Sequence, residues 1–269
     1  MSTVGDLLVP HRRRLWLYAV GGLVILFLLV PTLIVILMSF SGTDFLSFPP
    51  TDWSDRWYEA YFSSIEWRSA TWVSLKTALL TVLVATPIGT AAAYGLHVSR
   101  SRFATLILVL LAMPMMVPVI LIAIGAFYLY ARVGLLHTIT ALVLAHTTLA
   151  IPFVVAVVSA GLKSYDMNQE RAAQSLGASR LRSFLGVTLP RIRFSIFSGA
   201  LLAFLTSFDE VIVGLLVSGG DNATLTRKMF TALRDHIDPT IAAISTLLIS
   251  ISVGIVLLVQ ALTTRGPAR

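Results

Sequence analysis

Six apolar runs, each long enough to cross a lipid bilayer, constrain this chain more than any other feature. A helix of about 20 apolar residues spans a hydrocarbon core of about 30 Å. Such runs fold as helices because lipid offers no partner for backbone N–H and C=O groups. The runs cover residues 15–40, 72–95, 103–130, 136–161, 194–217 and 241–263. The sequence therefore predicts an all-α integral membrane protein with six transmembrane helices, formed by a single transmembrane domain over residues 1–269.

The composition agrees with a chain whose main solvent is lipid. Of the 269 residues, 57% are hydrophobic and 12% are charged, with a mean hydropathy of +0.86. Soluble domains carry about 25% charged residues. The first run follows a basic cluster at residues 11–14 and is longer than the apolar core of a signal peptide. It also lacks a small-residue cleavage site, so we expect an uncleaved first span.

The distribution of Lys and Arg predicts the orientation of the chain. Short cytoplasmic connections of membrane proteins carry an excess of these residues. With the N-terminus inside, 13 of the 20 basic residues fall on the inner side, six on the outer side, and Lys76 lies within a run. We therefore expect both termini to be cytoplasmic. The net charge of +7 then reflects topology, which argues against a nucleic-acid partner.

Residues 162–193, between the fourth and fifth runs, are called the connecting segment below. Asp166, followed three residues later by a glutamine, resembles a helix N-cap with its partner. Gly177 is placed to end a first helix and Ser179 to cap a second, while Pro190 ends the regular structure. We therefore predict two short amphipathic helices, bent at a glycine, on the cytoplasmic face.

Two roles for the connecting segment remain open from its residues alone. Glu170 and Arg171 are predicted on the polar side of the first helix, as its periodicity indicates. A basic amphipathic helix of this kind can rest on the lipid headgroups of the membrane surface. The same helix pair can instead be a docking element for another protein.

Ionisable residues within the apolar runs are candidate functional residues, because burying them in lipid is costly. Asp209 and Glu210 lie about 15 residues into the fifth run, roughly 22 Å along a helix that rises about 1.5 Å per residue. Two carboxylates at that depth suit a cationic solute. They could instead pair with a basic residue of another subunit or reach the outer headgroups. His146, in the fourth run, either lines a solute pathway or hydrogen-bonds a neighbouring helix.

No sequence pattern of a catalytic or metal site is present. The chain has no Walker lysine loop, no paired metal-ligand spacing and no nucleophile elbow, and it has no cysteine. We therefore expect that it is not an enzyme and that it holds no catalytic residue, metal or cofactor.

The connecting segment resembles the EAA loop of ABC importer permeases, whose pattern is E-A-A-x3-G-x9-I-x-L-P. The matching residues are Ala172, Ala173, Gly177, Leu189 and Pro190. The sequence departs from the pattern at two positions. Arg171 occupies the position of the glutamate, with Glu170 one residue earlier, and Val187 replaces the isoleucine.

This resemblance implies a type I ABC importer permease fold and a coupling role for the connecting segment. The residues it implicates in coupling to an ATPase are Glu170, Arg171, Ala172, Ala173, Leu176, Gly177 and Pro190. The implied partners are a sister permease, two ATP-binding cassette ATPase subunits and a periplasmic or lipid-anchored solute-binding protein. ATP and Mg²⁺ would bind to the ATPase. The implied location is the inner membrane of a bacterium.

Three further motifs are similar to those of the spermidine/putrescine class of permeases, and most similar to its PotC type. They cover residues 113–118, 145–153 and 207–210. This class implies uptake of a polyamine or a similar small cation, through a pathway that would include Asp209, Glu210 and His146. An importer of aminophosphonates, opines or amino-acid derivatives remains an alternative. A secondary transporter is a further alternative, although it would need an inverted repeat or an ion-coupling network.

Overall fold

A computed structural model of the chain describes residues 15–99, 102–235 and 238–264, with side chains as far as residue 254. The chain forms two compact units, one comprising Met1–Ser64 with Ala232–Arg269 and the other Ile65–Thr231. Both terminal tails and Arg100 lie outside the described residues, so their predicted cytoplasmic location stays a prediction. The single transmembrane domain over residues 1–269 also stays a prediction.

The described residues are almost entirely helical. The helices are α1 (Leu15–Met38), α2 (Arg56–Ser63), α3 (Ile65–Val98), α4 (Ala104–Met116), α5 (Val119–Arg132), α6 (Ile139–Lys163), α7 (Asn168–Ser175), α8 (Arg180–Ser183), α9 (Leu189–Arg191), α10 (Arg193–Phe208), α11 (Ile212–Val217), α12 (Leu225–Asp235) and α13 (Thr240–Thr264). A π-helical turn (Phe184–Thr188) joins α8 to α9, and a 3₁₀ turn (Gly220–Asn222) precedes α12.

The first unit contains α1, α2 and α13, and α13 packs against the other two helices. No side chain of α1 is buried among the described residues, so the apolar surface of this helix faces lipid or another chain. The loop after α1 is held by hydrogen bonds and by packing of the Phe40 ring against Tyr58, with ring centroids 5.3 Å apart. Ser39 Oγ lies 2.7 Å from the Tyr58 hydroxyl, and Trp57 Nε1 donates to the Ser41 carbonyl at 2.9 Å.

The second unit is built around three closely packed helices, α3, α6 and α10. Small residues allow this approach. A Cβ added at Gly89 of α3 would lie 2.7 Å from Val154 Cβ of α6, and Gly199 of α10 faces the Val154 backbone. The resulting core contains Ala85, Ala150, Val154, Val158 and Ala203.

Three of the predicted spans correspond to single continuous helices. α1, α3 and α6 are each long and apolar enough to cross a membrane, and they coincide with the first, second and fourth apolar runs. Two bent helix pairs, α4 with α5 and residues 180–191 with α10, raise the number of candidate spans to five. α13 coincides with the sixth run. The count of six spans stays a prediction.

The prediction of one helix over residues 103–130, the third apolar run, is wrong in detail. α4 and α5 meet at an angle of 95° around Val117 and Pro118. Val117 is extended, with φ −84° and ψ 132°, as expected for a residue before proline. Pro118 lacks an N–H group and cannot continue the hydrogen-bond ladder of α4.

The fifth apolar run, predicted as one helix over residues 194–217, is also interrupted. α10 ends at Phe208, and α11 begins at Ile212. The three residues between these helices include both acidic candidates. The path of the backbone therefore changes at the position where the sequence places its carboxylates.

Candidate functional site

The connecting segment folds as two short helices bent at Gly177, as predicted. Gly177 has φ +93°, a left-handed conformation that only glycine adopts without strain. Its N–H donates to Gln174 O at 3.0 Å, and the N–H of Ala178 donates to Ala173 O at 3.1 Å. This pair of bonds is a Schellman motif, which satisfies the last carbonyls of α7.

The second helix of the segment begins where the sequence predicts it. Ser179 is the N-cap of α8, and its Oγ accepts from the Arg182 N–H at 3.3 Å. Pro190, expected to end regular structure, instead lies inside the short helix α9. The chain bends by 76° immediately afterwards, between Arg191 and Arg193. Proline is tolerated in the first turn of a helix because the N–H groups there have no helical partner.

The start of α7 differs slightly from the prediction. The helix begins at Asn168 with Met167 as its N-cap, so Asp166 lies one residue earlier than a cap. The Asp166 carboxylate accepts from the Asn168 N–H at 3.0 Å. A carboxylate that accepts from the N–H two residues on forms an Asx turn, which leads the chain into the helix.

Glu170 lies inside the protein, and its predicted place on the polar surface of the segment is wrong. Only 2% of the residue is exposed. Its Oε1 accepts from the Tyr94 hydroxyl at 2.5 Å and from Gln174 Nε2 at 3.1 Å, while Oε2 accepts from the Thr188 hydroxyl. This carboxylate therefore ties α7 to the end of α3 and to the π-helical turn.

The connecting segment also carries exposed apolar residues. Leu176 is 90% exposed, the highest fraction among the large hydrophobic residues that the structure describes. Leu181 and Leu185 are exposed as well. Ala172 is exposed and Ala173 is half-buried. The small side chains therefore leave room for another surface to approach the backbone of α7.

The two acidic residues of the fifth run have different environments. The Glu210 carboxylate caps α11, since Oε1 accepts from the N–H groups of Ile212 at 2.8 Å and Val213 at 3.1 Å. The Glu210 carbonyl accepts from the Thr226 hydroxyl at 2.9 Å. Negative charge is favourable at a helix N-terminus. Glu210 is therefore engaged in holding the interrupted backbone.

Asp209 is the C-cap of α10, and it is exposed. Within the described part of the chain, its carboxylate has no hydrogen-bond or ion-pair partner. A carboxylate in an apolar run with no internal partner must be satisfied by water, lipid headgroups, another chain or a solute. Of the two acidic candidates, Asp209 is the one available for binding.

The His146 side chain hydrogen-bonds a neighbouring helix, which is one of its two predicted roles. Its ring is buried, with Nδ1 2.7 Å from the Ser207 hydroxyl. Ser207 in turn donates to Thr81 Oγ1 at 3.3 Å. This chain of side chains joins α6, α10 and α3.

The side chains that hold Glu170 and His146 in place were not predicted from the sequence. Tyr94 and Thr188 anchor Glu170, and Thr81 ends the chain of hydrogen bonds from His146. Thr188 could have been noticed, because it lies between two positions of the EAA pattern. Tyr94 and Thr81 carry no signal, because they are remote in sequence from the residues they contact. Among the described residues, no group of three or more His, Asp or Glu is placed to hold a metal ion.

The chain is similar to known transport proteins over most of its length. A family model described as "binding-protein-dependent transport system inner membrane component" matches residues 85–265. The putrescine transport system permease protein PotI of Escherichia coli K12 is 32% identical, covering 92% of this chain and 90% of its own. The spermidine/putrescine transport system permease protein PotC of Haemophilus influenzae is 30% identical, covering 89% and 93%.

Two solved structures share the fold at low sequence identity. One is a bacterial ABC transporter involved in the import of the acidic polysaccharide alginate, with a TM-score of 0.70, 13% identity and 99% of each chain covered. The other is a bacterial alginate ABC transporter in complex with an alginate pentasaccharide-bound periplasmic protein. Its TM-score is 0.71, with 16% identity and 94% and 95% of the two chains covered.

Proposed function

The chain belongs to the family of binding-protein-dependent transport system inner membrane components, and we propose that it is one permease subunit of an ATP-driven importer of polyamines. As a member of this family it is a multi-pass inner-membrane transport subunit. The proposal adds the solute, the partners and the roles of individual residues.

The exposed apolar side of the connecting segment is the observation that carries the docking proposal. Leu176, at 90% exposed, lies outside the apolar runs, so a place on the lipid-facing side of a span does not explain its exposure. Exposed apolar residues on a polar segment favour contact with another protein. We infer that this protein is the ATPase subunit, and that Ala172, Ala173, Leu176 and Gly177 form the surface it contacts.

The buried side of the same segment supports a role in transmitting motion. Glu170 connects α7 to Tyr94 of α3, and α3 packs along α6 and α10. A displacement of α7 by a docked protein is therefore passed to the end of a helix in the unit's core. Small displacements are transmitted in this way because packed helices are not continuously deformable.

In the proposed cycle this chain and a sister permease enclose the solute pathway. Two ATPase subunits bind ATP and Mg²⁺ below the connecting segments of the two permeases. A periplasmic or lipid-anchored binding protein delivers the solute on the outer side. ATP binding closes the ATPases and moves the connecting segments, and the spans then alternate between inward-open and outward-open states.

The polyamine proposal rests on the solutes for which the relatives are named and on the environment of the Asp209 carboxylate. PotI and PotC are named for putrescine and spermidine, and both solutes are cations. Asp209 offers a carboxylate without an internal partner among the described residues. Charge pairing with an amine gains strength where the effective dielectric constant is lower than in water. The alginate transporters support the fold alone.

The proposal is tested with the assembled complex, including its ATPase and binding protein, in lipid nanodiscs. We expect putrescine or spermidine to stimulate ATP hydrolysis several-fold. Aminophosphonates, opines and amino-acid derivatives should have no effect. Stimulation by one of these instead would contradict the polyamine proposal and leave the importer intact. No ligand-dependent hydrolysis with any solute would contradict the importer and favour a secondary transporter.

A further inference from the structure

The Lys228 side chain lies between a carboxylate and an aromatic ring at the start of α3. Its Nζ donates to Glu66 Oε2 at 2.5 Å and lies 4.9 Å from the centre of the Trp67 ring. Charge pairing with a carboxylate and contact with an aromatic face both bind alkylammonium ions. Glu66 and Trp67 therefore have the chemistry of an amine-binding site, with a lysine of the same chain in the place of the ligand.

Buried contacts within the second unit hold the two helices together at this point. Glu66, Ala70 and Ser74 lie on one face of α3, because they are spaced by four residues. The buried Ser74 Oγ accepts from the N–H of the buried Leu225 at 2.8 Å. Lys228 follows three residues after Leu225, about one turn along α12. The start of α12 is therefore held against α3 by more than the ion pair of Lys228.

A cavity of about 280 Å³ lies beside the ion pair. A water molecule takes about 30 Å³ in the liquid, so the cavity has room for a short alkylamine. All of its lining residues lie in two connections that are predicted on the outer side of the membrane. The charged lining residues are Glu66, Asp221 and Lys228, and the apolar ones include Ile65, Ala70 and Ala223.

The lining holds two carboxylates against one ammonium group, and both carboxylates are accessible. The Glu66 side chain is 83% exposed. Asp221 is exposed and, within the described part of the chain, forms no ion pair. The 3₁₀ turn that carries Asp221 is held by Asn222, whose Nδ2 donates to the His137 carbonyl at 2.8 Å. An amine bound to Glu66 therefore has a second carboxylate on the wall of the same cavity.

We propose that this cavity is an outer entry site for alkyl diamines, in which an amino group of the solute displaces Lys228 from Glu66. The proposal rests on the proposed function, which supplies a polyamine as the solute. A lysine side chain ends, like such a solute, in a primary ammonium on a methylene chain, so the two compete for one place. Glu66 and Trp67 then bind one ammonium group and Asp221 the other, while the apolar lining contacts the methylene chain.

The test measures putrescine binding to the purified permease complex in nanodiscs by calorimetry, without ATP or the binding protein. All variants carry Asp209→Asn, so that the carboxylate of the fifth run does not contribute. Lys228→Met removes the competing ammonium and should tighten putrescine binding about fivefold, while Glu66→Gln should weaken it about fivefold. Arg234→Met is the matched control, because Arg234 is a basic residue of α12 that does not line the cavity.

Butylamine tests the second carboxylate, because it has the same methylene chain with a single amino group. Asp221→Asn should weaken putrescine binding about fivefold, as expected for an exposed ion pair, and leave butylamine binding unchanged. An equal loss of both amines, or no loss of either, would overturn the site with two carboxylates.

Lys228→Met also separates an entry site from a merely structural ion pair. Since Ser74 and Leu225 hold α12, this variant should melt near the wild-type temperature. Unchanged or weaker putrescine binding in Lys228→Met would overturn the proposal, as would the same tightening in Arg234→Met.

The entry site and the proposed function fail in different ways. If putrescine stimulates ATP hydrolysis by the assembled complex but binds Lys228→Met no more tightly, import of polyamines stands and the entry site is wrong. If Lys228→Met binds amines more tightly while only another solute stimulates hydrolysis, the amine site stands and polyamine import is wrong.

Discussion

The connecting segment and the interrupted fifth run both carry acidic residues, but only the fifth run leaves one of them without a partner among the described residues. In the connecting segment, Glu170 is buried and accepts three side-chain hydrogen bonds. In the fifth run, Glu210 accepts from two backbone N–H groups, and Asp209 is exposed without an internal partner among the described residues.

Comparing the hydrogen-bond partners of these three residues shows which carboxylates are available for function. A buried carboxylate is tolerated only when its lone pairs are used, so Glu170 is committed to holding its segment in place. The half-buried Glu210 is committed in the same way by its two backbone N–H donors. Asp209 contributes to no such contact within the described chain. Proximity in sequence to a functional motif is therefore a poor guide to which acidic residue binds a partner.

The largest expected effect is that of removing the buried carboxylate in Glu170→Ala. This change leaves the hydroxyls of Tyr94 and Thr188 and the amide of Gln174 without their acceptor. Of the three, Thr188 is fully buried, and a buried polar group without a partner costs about 1–3 kcal/mol. We therefore expect a loss of stability of about that size and a loss of uptake. Thermal unfolding of the purified complex and an uptake assay measure the two effects.

Two matched variants define the cause of that effect. Gln169→Ala changes the exposed neighbouring residue and should have no measurable effect. Glu170→Gln should recover most of the stability, since its oxygen still accepts and its amide can donate to Thr188. If Glu170→Ala unfolds at the same temperature as Gln169→Ala, the buried network does not hold the segment.

The next largest effect separates the two acidic residues of the fifth run. Asp209→Asn should lower polyamine uptake at low ligand concentration about tenfold, because hydrogen bonds to charged groups contribute about 1.5–3 kcal/mol and 1.4 kcal/mol is a factor of ten. Copurification with the ATPase should be unchanged. Glu210→Gln should transport nearly normally, since the amide oxygen still accepts from Ile212 and Val213.

Glu210→Ala completes this comparison. It removes the cap of α11, which should lower stability by about 1 kcal/mol without selectively affecting uptake at low ligand concentration. Uptake unaffected by Asp209→Asn would remove the basis for a cationic solute contact at this residue. An equal uptake defect in Glu210→Gln would mean that both carboxylates bind the solute.

The smallest expected effect concerns the bend of the connecting segment. Gly177→Ala forces an alanine to adopt φ +93°, which should cost about 1–2 kcal/mol and weaken ATPase copurification. Gly186→Ala is the matched control, since a Cβ at Gly186 meets no atom within 4 Å and its φ is not positive. Equal copurification of the two variants would show that the bend at Gly177 does not matter for docking.

Local features of this protein were predictable from the sequence because their causes are local. The apolar runs depend on about 20 neighbouring residues, while the left-handed glycine at position 177 and the cap at Ser179 depend on residues within about one helical turn. The break at Pro118 is also local, since proline removes an N–H group and restricts the residue before it. Hydropathy alone does not show it, because the apolar run continues across Val117 and Pro118, where the two helices meet at 95°.

Only the tertiary structure decided which polar residues are buried and which remain available. Glu170 receives its hydrogen bonds from Tyr94, 76 residues earlier, and Thr188, 18 residues later. His146 is joined to Ser207 across 61 residues. Such partners meet because α3, α6 and α10 pack together, and helical periodicity carries no information about which distant side chain will be found there. The sequence determined where helices form and bend, while packing determined that Glu170 is structural and that Asp209 has no partner within the described chain.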